Sequence, residues 1–201
     1  SKRWTTLGPQ GTLLLVTGRL AGAATDERPS LKVALVRADQ PGVTVVPMPE
    51  TAFVPEVPHA RIQLQDVAIE ASSLLPGDGY DTYVKPFRTL EDSLVTAAVL
   101  AYLLREARAR GWPADLRERL SAGLSTLAMV AQSPLDAPTT HIALAGALHW
   151  AAALYQEAGA LWATTPDDPA SRRWLRDAPL FAVAAGARQQ RAARAWERLQ
   201  A

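Results

Sequence analysis

The sequence predicts an α+β protein: a small antiparallel β segment over residues 1–72, followed by an antiparallel four-helix bundle over residues 73–201. Three observations carry this. Before residue 73, short runs rich in Val, Ile and Leu are separated by Gly, Pro and Asp signals, the punctuation of strands. After Pro76-Gly77-Asp78-Gly79, apolar residues recur at helical spacing over long stretches. The connections between those stretches are short, which makes successive helices antiparallel neighbours.

The strand candidates are residues 12–17, 31–36, 43–46 and 61–69, divided by turns such as Gln40-Pro41-Gly42 and Pro47-Met48-Pro49. Arg61-Ile62-Gln63-Leu64-Gln65-Asp66-Val67 alternates until Asp66, which suits a strand with one wet face. The first helix is expected from Thr89, with Asp92 completing a capping box, up to Gly111; Leu90, Leu94, Val95, Ala98, Ala101 and Tyr102 supply its apolar repeat. A second starts at Pro113 and stops before Ser133-Pro134, a third covers 138–162, and a last covers 180–199. Pro166 and Pro169 mark the break before the last helix. The third helix carries Ala, Leu, Trp and Tyr on nearly every face, so it is expected at the bundle centre or against another subunit, which favours a homo-oligomer.

Composition narrows the function. There is no cysteine, which excludes disulfides, thiolate metal sites and a cysteine nucleophile. With no apolar segment of signal-peptide length behind Ser1-Lys2-Arg3, a cytoplasmic protein is expected. No membrane partner is expected either, because His149, Gln156 and Glu157 interrupt the most hydrophobic stretch. Net charge is +1, and neither segment is strongly basic: residues 1–72 carry seven charges of each sign, and residues 73–201 carry fourteen cations against thirteen anions. A dedicated nucleic-acid binder is not indicated. Eighteen of the cations are Arg and Asn is absent, a usage typical of a GC-rich bacterial genome.

Isolated candidate sites are few. His59, His141 and His149 are too far apart for a metal centre, and the eight-residue spacing of the last two gives no ligand pair on one helix face. Gly123-Leu124-Ser125 lacks the second Gly of a nucleophile elbow and lies inside a helix. Gly77-Asp78-Gly79 lacks the Lys of a phosphate loop and reads as a turn. Arg188, Arg191, Arg194 and Arg198 fall on one helix face, where they are either a solvated stripe or a grip on the phosphates of CoA, FAD or a nucleic acid.

Several motifs occur in an order that resembles the acyl-CoA dehydrogenase family. Trp4-Thr5-Thr6 resembles that family's Trp-Ile-Thr strand, and Leu13-Leu14-Leu15-Val16-Thr17 the strand after it. Val33 to Val36 with Pro41-Gly42-Val43 resembles the next strand and turn, and Leu64-Gln65-Asp66-Val67 resembles a Phe-Asp-Asp-Val strand. Leu75-Pro76-Gly77-Asp78-Gly79 resembles the Leu-Gly-x-x-Gly turn that enters the first bundle helix, and Arg176-Asp177-Ala178 the Arg-Asp-Ala that precedes the last. The resemblance implies that residues 1–72 are part of a middle β domain and 73–201 a C-terminal bundle. It implies FAD as cofactor, with Trp4 and Thr6 against the flavin, and acyl-CoA as substrate.

The departures from the pattern define the functional question. The N-terminal helical domain and the first half of the β domain have no counterpart in these residues, which leaves room for a missing N-terminal region or a partner subunit. Arg108-Ala109-Arg110-Gly111-Trp112 stands where the family has Arg-x-x-Phe-Gly, and Ala163-Thr164-Thr165-Pro166-Asp167-Asp168 where it has Gly-Gly-x-Gly. Family members need a carboxylate to remove the α-proton. The commonest position for it, counted from Arg176, is Ala185, whose methyl group accepts no proton. Other members carry the base on the first bundle helix, which makes Glu91 the candidate here, although a Glu in a first helical turn also suits the helix dipole. Three readings follow: a partial or degenerate acyl-CoA dehydrogenase-like flavoprotein, a non-catalytic oligomerisation or interaction module, and a nucleic-acid binder using the arginine stripe.

Overall fold

The computed structural model describes residues 1–20 and 31–200. Among them are five strands and five α-helices, and the chain divides into two compact units, Ser1–Lys85 and Pro86–Ala201.

The first unit holds β1 (Lys2–Thr6), β2 (Leu13–Arg19), β3 (Leu31–Arg37), β4 (Val43–Pro47) and β5 (His59–Leu64). They form two antiparallel sheets, one of order β1-β5-β4 and one pairing β2 with β3. Leu14, Ala34, Val36, Ala60 and Ile62 make its core. In β5 Ala60 and Ile62 are buried while Arg61 and Gln63 face water, but the expected alternation stops at Leu64, which is exposed. The strand ends at Leu64 rather than running to residue 69, because Asp66 turns into the left-handed region (φ 52°). Gly42 (φ 87°) allows that turn to close: its amide carbonyl accepts from Gln65 at 3.0 Å, and a Cβ there would strike the Gln65 carbonyl. Beyond the change of texture at residue 73 the chain still lies along β3, through Leu75 N donating to the Val33 carbonyl (2.9 Å) and Lys32 Nζ to the Gly77 carbonyl (2.7 Å). The division between units therefore falls later than the change in composition.

The second unit is built from α1 (Lys85–Ala109), α2 (Ala114–Gln132), α3 (Pro138–Ala163), α4 (Pro169–Asp177) and α5 (Ala185–Gln200). Five helices replace the expected four. The additional one is α4, which begins at the Pro169 read as a breaker. Asp168 is its N-cap, accepting from Ala170 N at 2.7 Å, and proline at the first helical position removes an amide that would have had no partner. The last helix starts at Ala185, not residue 180, since Ala178–Ala182 is a 3₁₀ turn.

The first helix also begins earlier than its sequence suggests. Thr89 is not a cap: it is fully buried on the second turn of α1, and the chain enters through a π-helical turn, Tyr80–Val84. Asp78 supplies the cap, its Oδ1 accepting from Tyr80 N (2.9 Å) and Asp81 N (2.8 Å). The buried stripe of α1 is Thr89, Ser93, Thr96, Leu100, Leu103 and Ala107, so the helix is rotated relative to the expected repeat and leaves Leu94 and Val95 exposed. Small hydroxyl side chains tolerate that burial because they bond back along the helix, as Ser93 Oγ does to the Thr89 carbonyl (2.9 Å).

α3 is central, with Leu144, Leu154, Ala158 and Trp162 fully buried in a core shared with Leu100 and Leu103 of α1, Leu116, Leu120 and Leu127 of α2 and Trp174 of α4. Its outward positions are mostly small, among them Ala143, Gly146 and Ala152, so its all-round apolarity reflects a central place in the bundle. Arg119 clips α2 to α3 with a two-pronged bond to Glu157, both contacts at 2.7 Å. Among the described residues no helix is long and apolar enough to cross a membrane.

Candidate functional site

The sequence-derived candidates fall in both units. In the first, β1 is an edge strand whose register against β5 shifts between Lys2 and Thr5; Trp4 sits in that irregularity with φ 58°. As a result Trp4 and Thr6 are both exposed while Thr5 turns inward. The Trp4 indole is 52% exposed and meets His59 edge-on, ring centres 5.7 Å apart. The Thr5 hydroxyl is buried without a hydrogen-bond partner, a polar atom the sequence reading did not single out. Gly8 follows directly beneath Ala60, where any Cβ would lie 2.7 Å from the Ala60 Cβ.

In the second unit Glu91 is exposed on α1. Its neighbour Asp92 is largely covered and holds two of the four stripe arginines: Arg188 Nε donates to Oδ1 at 2.9 Å and Arg191 Nη2 to Oδ2 at 2.7 Å. Arg188 and Arg191 are thus not solvated but face the bundle, on the same stripe as the buried Ala195. Arg194 is exposed, and Arg198 Nη1 approaches the Asp136 carbonyl at 3.4 Å. Ala185 opens α5 next to Ala184 (φ 64°), and residues 178–196 contain no Asp or Glu.

The two departures at the far ends of α1 and α3 come together. Arg110 Nη1 donates to Asp168 Oδ2 (2.6 Å), its Nε reaches Glu106 (3.2 Å), and its guanidinium lies 4.3 Å from the Trp162 ring centre. The hydrogen bond from Arg110 and the backbone N–H of Ala170 hold the Asp168 carboxyl below its ordinary pKa, and the same bond raises that of Arg110. Thr164 N and Thr165 N close the end of α3 on Leu161 and Trp162. Sequence reasoning missed this knot, although Asp168-Pro169 is itself a helix-start signature.

The remaining candidates have structural surroundings. His141 is buried on α3, its Nε2 3.3 Å from Thr89 Oγ1 and 2.9 Å from the Leu135 carbonyl, and His149 is exposed. Gly123 faces Leu100, with room for no Cβ (2.9 Å), and Ser125 Oγ bonds back to Ser121 (3.3 Å). Among the described residues no three His, Asp or Glu side chains are grouped to hold a metal ion.

These positions fit a flavin unevenly. Trp4 and Thr6 offer an aromatic face and a hydroxyl on one exposed strand, which suits the ring system, while the Thr5 hydroxyl is turned inward and adds nothing to that face. Arg110 and the 163–168 loop offer no comparable open pair, because they are engaged with one another through the Arg110–Asp168 bond.

No protein-family model and no curated protein sequence matches the chain. Solved structures do match. Butyryl-CoA dehydrogenase from Megasphaera elsdenii aligns with a TM-score of 0.73 at 14% identity, over 97% of this chain and 58% of that one. FkbI, described for biosynthesis of the methoxymalonyl extender unit of the polyketide FK520, aligns with a TM-score of 0.74 at 22% identity, over 99% and 61%. The ChsE4–ChsE5 complex from Mycobacterium tuberculosis gives a TM-score of 0.66 at 19% identity, over 99% and 58%. The chain spans about three fifths of the length of these proteins. Over that length it has the fold of the acyl-CoA dehydrogenase family, consistent with the C-terminal part of its members.

Proposed function

We propose that the chain is the flavin-facing part of an acyl-CoA dehydrogenase-like protein and that it carries no proton-abstracting carboxylate of its own. The observation that carries this is the start of α5: the position that the resemblance gives to the base is Ala185, and residues 178–196 contain no Asp or Glu. FAD, when bound, supplies the hydride acceptor for oxidation of an acyl thioester. Trp4 and Thr6, both on strand positions open to a ligand, are the residues that would hold the flavin ring system, Trp4 through its indole and Thr6 through its hydroxyl. Glu91 is the candidate base that the resemblance leaves, and it is exposed, whereas a general base is ordinarily set in a partly enclosed site.

The test is FAD titration of the protein, followed by acyl-CoA with an acceptor dye. FAD uptake is expected, weakened at least about tenfold by Trp4→Ala combined with Thr6→Val, with no acyl-CoA-dependent dye reduction. Dye reduction that Glu91→Gln abolishes would overturn the assignment. A second reading, a non-catalytic oligomerisation or interaction module, is favoured by the Arg110–Asp168 knot, which ties together the two segments that depart from the family's motifs. Colourless protein that takes up no FAD would select it. The nucleic-acid reading gains least, since Asp92 already engages Arg188 and Arg191.

A further inference from the structure

The register of the three-stranded sheet brings Arg61 to the surface that carries Trp4 and Thr6. Lys2 pairs with Ile62 and Thr5 with Ala60, so Arg3 and Trp4 together stand against a single residue of the central strand, Arg61. On its other side Arg61 pairs with Val46 of β4. Ala60 and Ile62 point into the core, which turns Arg61 to the outer face with His59 and Gln63. Thr6 pairs with His59, and the Trp4 indole meets the His59 ring edge-on. Trp4, Thr6, His59 and Arg61 therefore share one side of the sheet. The three strands contain Lys2, Arg3 and Arg61 but no Asp or Glu. Lys2 and Arg3 open an edge strand, whereas Arg61 is held by pairing on both sides.

We propose that Arg61 tunes the flavin site, favouring the reduced, anionic ring over the oxidised, neutral one. This rests on the reading that Trp4 and Thr6 hold the flavin. A hydride passed from an acyl thioester to the oxidised ring brings a proton and an electron pair, and leaves the ring with a negative charge. Cross-strand neighbours stand about 5 Å apart at Cβ, a gap that an arginine side chain spans, so the Arg61 guanidinium lies within reach of whatever rests against Trp4. That guanidinium is permanently charged. It stabilises an anionic ring and does little for a neutral one. Because Arg61 is exposed, its effect is that of a partly screened charge. Trp4 meets both forms of the ring alike, so it adds affinity without changing the preference between them.

Binding of FAD in its oxidised and dithionite-reduced forms tests this, with the reduction potential of the bound flavin as a second readout. Arg61→Gln should leave uptake of oxidised FAD within about threefold of wild type, while weakening uptake of the reduced form at least about fivefold more than that of the oxidised form. The potential of the bound flavin should become more negative in step. Arg61→Lys, which keeps the charge, should keep the preference. Arg19→Gln removes an exposed charge from β2, outside this sheet, and should leave the preference unchanged. FAD uptake with the same ratio of affinities in Arg61→Gln and wild type would overturn the role of Arg61 and leave that of Trp4 and Thr6 standing. Equal weakening of both forms would place Arg61 on the phosphates of FAD and overturn the proposal as well. Wild-type protein that takes up neither form would overturn both readings together.

Discussion

Asp92 accepts from Arg191 across 99 residues of sequence at 2.7 Å, and this pair, with Arg188 on the other carboxylate oxygen, fastens α5 to α1. Both groups are largely covered, at 13% and 16% side-chain exposure, so removing the carboxylate strands two cations at a helix interface. Asp92→Ala should lower unfolding free energy by about 1–3 kcal/mol. A double-mutant cycle with Arg191→Ala, read by urea denaturation, should return a favourable coupling; strictly additive effects would show the contact to be idle.

The capping carboxylate of α4 sets a pH dependence. Its folded pKa is depressed by Arg110, so the stability it contributes is complete above the ordinary carboxylate value and is lost as pH falls through the folded one. Acid titration followed by circular dichroism should show α4 loosening below about pH 4. Asp168→Asn, which keeps a cap but loses the charge, should flatten that part of the profile; an unchanged profile would assign the acid transition to other carboxylates.

Gly8 has no room for a side chain. A methyl group there would overlap the Ala60 Cβ, and Ala60 is itself fully buried. Gly8→Ala should destabilise by about 1–3 kcal/mol, and Ala60→Gly in the same chain should recover part of the loss. Thermal melts of the single and double variants decide the matter.

Trp162 is fully buried, and its indole N–H has no hydrogen-bond acceptor. Trp162→Ala should cost about 3–5 kcal/mol through the cavity it leaves. Trp162→Phe should cost much less, since it removes the unpaired donor and keeps a ring face beneath Arg110. Equal losses in the two variants would contradict this account.

β2 to β5 were legible because alternation and turn residues are local signals, as in Ile62 and Gly42, whereas β1 was reached only through the resemblance of Trp4-Thr5-Thr6. The existence of the four long helices was legible for the same reason. The rotation of α1 was not, since counting apolar residues selects Leu94 and Val95, while the side chains that pack inward begin with Thr89, Ser93 and Thr96. A hydroxyl bonded to its own helix is cheap to bury, and hydropathy does not register that. α4 was hidden by two prolines that look like breaks until Asp168 is recognised as a cap. Of the candidate site, Ala185 could be found by counting along the chain, whereas the engagement of Arg188 and Arg191 depends on an acid nearly a hundred residues away.

The aromatic side chains beside α3 have a consequence for how the bundle opens. Tyr102 stacks on Trp162 and Trp174, Trp112 meets Trp162 edge-on, and Tyr155 and Phe181 close around Trp174, so α1, the turn between α1 and α2, α3, α4 and the turn after it share one set of rings. Elements joined this way lose their packing together, whereas α5, which lies along α3, contributes only the small Ala195 to the buried residues and is tied to α1 by the Asp92 ion pairs. Hydrogen exchange should therefore separate two populations of amides: a slow set centred on residues 151–162 that exchanges only on global unfolding, and a faster set in α5 that added salt accelerates further.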